Sequence, residues 1–316
     1  MNVAVLDDYQ GVARELADWK SLGDDVYVRF FHDHVESEDE LVQRLEQFEV
    51  IAIMRERTPF PRSLIEKLPR LKLVVTTGKR NAALDVAACK ARGITVCGTA
   101  GSAGSTIELA WGLIIAVARG IPREDLGLRH GRWQIAVGME LRGKTLGVLG
   151  LGRLGTQVAQ IGRAFGMHVI AWSQNLTAER AQAGGAELVT KRQLFERSDV
   201  ITVHLVLSDR TRRIVSNQEL AWMKPTAYLV NTSRGPIVDT AALIEALHSS
   251  TIAGAALDVY DREPLSPDDP ILHAPNTVLT PHLGYVADES YKTFYRETVE
   301  DIAAWIAGKP IREVEE

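Results

Sequence analysis

Short apolar runs alternate with amphipathic stretches along almost the whole chain. Residues 3–6, 50–54, 71–76 and 95–97 are such runs, and between them 38–48 and 61–68 carry apolar side chains at helical spacing. The runs are continuously apolar, which fits strands covered on both faces. Their alternation with helices predicts parallel sheets. The pattern restarts near Leu141, where 144–149, 169–172, 200–204, 227–231, 253–257 and 278–280 read as a second set of strands. The expectation is two α/β domains, one before about Cys97 and one after about Gly101. A long helix, 106–119, should lead from the first into the second. A last helix, 288–307, should return to the first.

Composition narrows the function classes. The chain has 316 residues, 46% apolar and 24% charged, with a formal net charge of −5. That length suits two ordinary domains. The charge balance gives no reason to expect a nucleic-acid partner. Cys89 and Cys97 form no CxxC pair, so neither a zinc site nor a redox pair is expected, and a reducing, cytoplasmic location is. The start reads as a strand rather than a leader. The most apolar stretch, 107–118, contains Glu108 and falls short of the ~20 residues that a membrane span needs. The histidines other than His282 (His32, His34, His130, His168, His204, His248 and His273) show no metal-ligand spacing, so no metal is expected.

Chemistry enters after the strand 144–149. Gly150-Leu151-Gly152-Arg153-Leu154-Gly155 is a G-x-G-x-x-G between a strand and a helical stretch, 153–165. In that context the first glycine permits a tight turn and the second lets the backbone approach a pyrophosphate. The third lets helix and strand pack closely. Arg153 and Leu154 open the helix whose N-terminus would face the phosphates. The acidic residue expected some way on, at the ribose hydroxyls, is missing. Ser173, Gln174 and Asn175 follow Trp172, with Arg180 a few positions further. Ser173 and Asn175 can hydrogen-bond a ribose, and no carboxylate repels a 2′-phosphate, so NAD and NADP both remain open.

The second half then carries several motifs in order: Leu229-Val230-Asn231-Thr232-Ser233-Arg234-Gly235, Gly254-Ala255-Ala256-Leu257-Asp258-Val259-Tyr260, Glu263-Pro264-Leu265, and Thr280-Pro281-His282-Leu283-Gly284. Together they resemble the D-isomer-specific 2-hydroxyacid dehydrogenases, which include phosphoglycerate dehydrogenases and glyoxylate/hydroxypyruvate reductases. The resemblance covers nearly the whole chain and is strongest over 143–284. It implies a flavodoxin-like substrate domain, 1–98 plus 286–316, and a Rossmann nucleotide domain, 99–285, with a cleft between them. It implies that Arg234 is the catalytic arginine, Glu263 the acidic partner and His282 the acid–base histidine. Asp258 would orient the nicotinamide amide, with Thr106, Thr232 and Gly284 nearby and Glu108 on the interdomain helix.

Reduction of a 2-oxo acid calls for the same residue types. Negative charge grows on the carbonyl oxygen as hydride arrives, and a guanidinium stabilises it. A histidine delivers the proton. A carboxylate on its far nitrogen fixes the tautomer and favours the charged ring.

The substrate side departs from the family pattern. The family's glycine-rich anion loop, which binds the acid's carboxylate through backbone amides, aligns with Thr76-Thr77-Gly78-Lys79-Arg80-Asn81. Lys79 and Arg80 stand where the pattern expects glycine and its neighbour. Extra cations would suit a substrate with a second anionic group; alternatively, only the backbone amides matter and the side chains face solvent. Arg55 and Arg57, at a strand end, are candidates for the same anion. Trp111 reads as core, Trp133 as a subunit contact and Tyr285 as an aid to cleft closure. The resemblance further implies a homodimer built through the nucleotide domain, and the early end after the last helix argues against the regulatory extension of many phosphoglycerate dehydrogenases. Two alternatives stay open: phosphoglycerate dehydrogenase specifically, or a non-catalytic NAD(H)-sensing protein like the corepressors that share this fold.

Overall fold

The computed structural model describes residues 1–101 and 104–314. Its strands are β1 (Asn2–Val5), β2 (Tyr27–Phe30), β3 (Val50–Ile53), β4 (Leu73–Thr76), β5 (Thr95–Gly98), β6 (Thr145–Leu149), β7 (His168–Trp172), β8 (Glu187–Leu188), β9 (Val200–Val203), β10 (Tyr228–Asn231), β11 (Gly254–Leu257) and β12 (Thr277–Leu279). They form two sheets, β2-β1-β3-β4-β5 and β12-β11-β10-β9-β6-β7-β8. Every pairing between these strands is parallel. The first order is flavodoxin-like. The second is a Rossmann order extended by one strand.

The chain divides into two compact units, Met1–Ser102 with Tyr285–Glu316, and Ala103–Gly284. In the first, Ala4, Leu6, Ile51, Ile53 and Val74 meet Leu41, Leu45, Leu64 and Leu68 on one face of the sheet. Val3, Val5, Val50, Ala52, Leu73 and Val75 meet Phe294, Tyr295 and Ile302 of helix Asp288–Ile306 on the other. Successive strand residues therefore bury on opposite faces, and the strands lack polar alternation for that reason.

The second unit is built alike. Helix Gly104–Arg119 buries Ile107, Ala110, Trp111, Ile114 and Val117, spaced three or four apart, against Leu146, Val148 and Val158. Leu149, Ile201, Val203 and Leu229 meet Leu243 and Leu247 on the opposite face. Trp111 is core, stacked on Phe165 with ring centroids 4.9 Å apart. Among the described residues, no single helix is long and apolar enough to cross a membrane.

Two strands were not legible in the hydrophobic pattern. β2 is an edge strand whose residues alternate between exposed and half-buried, and Arg29 interrupts its apolar run. β8 has two residues, both exposed, and adds only a short ladder to β7. Edge strands carry one-sided or no burial, which removes the signal that revealed the others.

Candidate active site

The residues that carry chemistry in the second unit follow the C-terminal ends of its strands. β6 lies between β7 and β9, so the chain winds outward in both directions from the β6/β9 pair. Open α/β sheets bind ligands at such a switch point. Gly150, just after β6, has φ +106, and a Cβ there would lie 2.8 Å from the His204 carbonyl, just after β9. At Gly155 a Cβ would lie 2.1 Å from the Gly150 carbonyl oxygen. Both glycines are therefore demanded by packing. Gly152 differs: a Cβ there would meet nothing within 4 Å. It precedes helix Arg153–Ala164, and both Gly152 and Arg153 are exposed. A backbone left bare toward solvent at a helix N-terminus suits a pyrophosphate. So the turn fits a dinucleotide.

The three residues that follow β7 are polar and uncharged. Ser173 is half-buried after β7, and Gln174, Asn175 and Arg180 are exposed. Thr232, after β10, has a buried hydroxyl with no hydrogen-bond partner among the described residues. Thr202 Oγ1 and His204 Nε2 lie 2.8 Å apart, and burial drops the His204 ring to a pKa of about 4. His204 is thus held neutral beside the glycine turn.

Three loops, after β10, β11 and β12, carry Arg234, Glu263 and His282. His282 Nδ1 lies 2.5 Å from Glu263 Oε2. The other carboxylate oxygen of Glu263 accepts the Tyr260 N–H at 2.9 Å, which fixes its plane. Both side chains are mostly buried, with 16% of His282 and 24% of Glu263 exposed. A carboxylate only accepts, so the ring proton on this side sits on Nδ1, and Nε2 is the nitrogen that can exchange a proton. Arg234 is half-buried after β10, its Nη1 donating to the Ser233 carbonyl at 2.8 Å. The Asn231 side chain donates to the Arg234 carbonyl at 3.0 Å and accepts the Ser233 N–H at 3.0 Å. A Cβ at Gly235 would lie 2.0 Å from the Tyr260 carbonyl carbon, so the Arg234 and Glu263 loops press backbone to backbone.

Asp258 holds the histidine loop. Its side chain is fully buried. Oδ1 accepts the Thr280 hydroxyl at 2.6 Å and the Leu283 N–H at 2.7 Å, while Oδ2 accepts the Gly284 N–H at 2.9 Å. Both oxygens thus accept hydrogen bonds from residues 280–284. Burial raises its pKa, and the three donors and nearby His282 oppose the rise. His282 itself has φ +53, a left-handed conformation that costs a side-chain-bearing residue of order 1 kcal/mol or more unless its surroundings enforce it. Asp258 supplies that enforcement. Thr106 Oγ1 also donates to the Gly284 carbonyl at 2.8 Å. Tyr260, whose hydroxyl donates to the Thr280 carbonyl at 3.0 Å, ties the same loop from the other side. Its place within the Asp258 motif was the only sequence signal for that role.

In the first unit, β3 and β4 end beside each other at the basic cluster. Arg55 has φ +52, and its guanidinium lies over Gly78, where a Cβ would be 1.8 Å from Nη1. Arg55 Nη1 donates to the Thr77 carbonyl at 3.3 Å and sits 5.8 Å from the Tyr285 ring centroid. Two expectations need correction here. The Gly78 amide is not available to an anion, because it donates to Thr99 Oγ1 at 2.9 Å. Gly78 instead supplies a φ of +90 and room for Arg55. Arg57 is no strand-end ligand either: it donates to the Asp7 carbonyl at 2.6 Å and to the hydroxyls of Tyr285 and Tyr291 at 2.9 and 3.1 Å. It binds these elements into the core, and Tyr285 is buried with it. Lys79 and Arg80 are exposed. Among the described residues no group of three or more His, Cys, Asp or Glu side chains could hold a metal ion.

Residues 111–284 match the model of the D-isomer specific 2-hydroxyacid dehydrogenase NAD-binding domain. A glyoxylate reductase of Aeropyrum pernix is 40% identical over 78% of this chain and 76% of its own length. A D-3-phosphoglycerate dehydrogenase of Archaeoglobus fulgidus is 38% identical over 87% of this chain, which spans about half, 53%, of that relative's length. The solved structure of a phosphoglycerate oxidoreductase from Vibrio cholerae has a TM-score of 0.92 at 38% identity, covering 98% of this chain and 99% of that one. Sheet order, glycine turn and these matches define an oxidoreductase that acts on the CH–OH group of donors with NAD or NADP. The chain belongs to the D-isomer-specific 2-hydroxyacid dehydrogenase family.

Proposed function

We propose that the chain reduces a small 2-oxo acid such as glyoxylate or hydroxypyruvate to the corresponding 2-hydroxy acid, with His282, Glu263 and Arg234 as the catalytic residues. The observation that carries the assignment is the 2.5 Å His282–Glu263 contact on a loop that Asp258 over-determines. When bound, NADH or NADPH supplies the hydride. Arg234 stabilises the negative charge that develops on the substrate oxygen. His282 Nε2 donates the proton to that oxygen, and in the reverse direction removes it. Glu263 accepts the Nδ1 proton and so fixes the tautomer and the orientation of the ring.

For the dinucleotide, the reading assigns the pyrophosphate to Gly150, Gly152, Arg153, Leu154 and Gly155, and the ribose to Ser173 and Asn175. Thr106, Thr232, Asp258 and Gly284 belong to the nicotinamide end, with Asp258 acting through the 280–284 loop. For the acid, Arg55 and the amides and side chains of Lys79 and Arg80 form the anion-binding loop, and Gly78 shapes it. The assigned domains are 1–98 with 286–316 for substrate and 99–285 for dinucleotide.

A cytoplasmic homodimer completes the reading. Trp133, 77% exposed, and the exposed Leu126 and Leu128 of helix Ile121–Arg129 give an apolar face in the nucleotide-binding unit. Cys89 and Cys97 are free and buried, as suits a reducing compartment.

The test is loss of reduced-nicotinamide absorbance with NADH and with NADPH against glyoxylate, hydroxypyruvate, pyruvate, phenylpyruvate, 2-oxoglutarate and phosphohydroxypyruvate. Oxidation with at least one acid is expected. Tight dinucleotide binding with no acid reduced would favour a sensor instead.

A further inference from the structure

The segment that follows helix Asp288–Ile306 turns back along the edge of the five-stranded sheet. The Gly98 N–H donates to the Arg312 carbonyl at 3.0 Å, and the Val314 N–H to the Val96 carbonyl at 2.9 Å. Cys97 and Glu313 thus form an antiparallel bridge against a sheet that is otherwise parallel. β5, the edge strand in the sheet order, gains a backbone partner over its last residues.

One side chain pins this strap. Arg312 has φ +51. Its Nε donates to Asp301 Oδ1 at 2.8 Å, and its Nη2 to Glu300 Oε2 at 2.8 Å and to the Glu297 carbonyl at 3.1 Å. Asp301 is fully buried, and its second oxygen has no hydrogen-bond partner among the described residues. A buried ion pair that leaves an oxygen unsatisfied is a poor source of net stability, so its value lies in the geometry it fixes.

That geometry reaches the anion-binding loop through Gly98. A Cβ at Gly98 would lie 2.8 Å from the Gly78 carbonyl oxygen, 3.0 Å from Val314 Cγ2 and 3.6 Å from Lys79 Cα. Gly98 therefore lies between the strap and the loop, with no room there for a side chain. A second tie runs in parallel: the Gly78 N–H donates to Thr99 Oγ1, the Thr99 hydroxyl to the Ala100 carbonyl, and the Ala100 N–H to Glu297 Oε2 at 2.6 Å. Arg312 and this tie both converge on the Glu297–Asp301 turn of one helix.

We infer that Arg312 is a positioning residue for substrate binding, setting the height of the Gly78–Arg80 loop through the strap and Gly98. The inference rests on the reading of that loop as the site of the substrate's carboxylate. It touches neither substrate nor dinucleotide, so its removal should weaken the acid's binding and leave the chemistry alone.

The experiment is steady-state kinetics at saturating dinucleotide, with glyoxylate as the probe or hydroxypyruvate if the wild type reduces it faster. Arg312→Ala should raise KM for the acid roughly tenfold, equivalent to about 1.4 kcal/mol of lost binding. Its kcat and its dinucleotide Kd, read by nicotinamide fluorescence, should stay at wild-type values. Arg312→Lys, which keeps a cation for Asp301, should recover part of the loss. Gly98→Ala pushes on the Gly78 carbonyl directly and serves as the control for the loop. If Gly98→Ala raises KM and Arg312→Ala does not, the strap has no positioning role and the loop reading stands. If neither raises KM, the loop reading fails and the inference falls with it. A drop in kcat with KM unchanged would also overturn it. Should Arg312→Ala lose its native circular dichroism, Arg312→Lys and Glu300→Gln are read by the same criterion.

Discussion

At the residue scale, one carboxylate fixes a tautomer and another fixes a loop, and the two make different predictions. Glu263→Gln keeps a hydrogen-bonding side chain beside His282 but removes the carboxylate that accepts the Nδ1 proton. Its turnover should fall by about 10²-fold, within the range for a general acid–base group. Asp258→Asn turns one acceptor into a donor that faces backbone N–H groups. Each mispaired contact of that kind costs about 1–3 kcal/mol. The variant should lose both melting temperature and turnover, whereas Glu263→Gln should lose mainly turnover.

His204 gives a prediction in pH. Burial lowers its pKa from 6.5 to about 4. Between those values the unfolded chain binds a proton that the folded chain refuses. The folded state's advantage is therefore complete above about 6.5 and shrinks as pH falls toward 4. In His204→Asn the loss of urea midpoint between pH 7 and pH 5 should be smaller than in the wild type. An identical loss in both would mean that the ring takes a proton without penalty.

At the element scale, the glycine turn after β6 separates packing from binding. Gly155→Ala forces a methyl group against the Gly150 carbonyl and should lower the melting temperature. Gly152→Ala meets no protein atom. It should fold with an unchanged melting temperature yet bind NADH or NADPH at least about tenfold more weakly, because the methyl group stands where a phosphate approaches the backbone. Thermal melts and fluorescence titration distinguish the two outcomes. Unchanged affinity in Gly152→Ala would move the pyrophosphate elsewhere.

The same turn marks how far the sequence could be read. Strands covered on both faces declare themselves as apolar runs, and β3 and β4 were legible to within three residues at each end. Glycine spacing and the order of the Arg234, Glu263 and His282 motifs were legible because each follows such a strand. What the sequence could not reveal was the destination of polar groups. Nothing local in Gly78 says that its amide meets Thr99, twenty-one positions on. Nor does Arg57 announce that its guanidinium will be enclosed by Tyr285 and Tyr291, over 200 residues away. Hydrogen bonds of high sequence separation leave no periodic trace, so the surroundings of Gly78 and Arg57 were not legible.

At the scale of the whole molecule, two parallel sheets have separate cores. The first unit closes only when the segment after Gly284 returns to it, since helix Asp288–Ile306 covers one face of its sheet. Removing residues 285–316 would therefore expose Val3, Val5, Val50 and Val75, and the truncated chain should aggregate rather than fold. The exposed apolar face around Trp133 belongs to the second unit. Trp133→Asp should shift the protein from dimer to monomer in sedimentation analysis; a monomeric wild type would remove that part of the account.

The central claim is that His282 is the proton donor of a 2-oxo acid reductase, and the most direct measurement compares His282→Gln with the wild type in two readouts on the same sample. NADH and NADPH affinity is read by fluorescence, and turnover by nicotinamide absorbance with the preferred acid. The account predicts unchanged dinucleotide affinity and turnover reduced by about 10²- to 10⁴-fold. Turnover equal to that of the wild type, with dinucleotide bound, would contradict it.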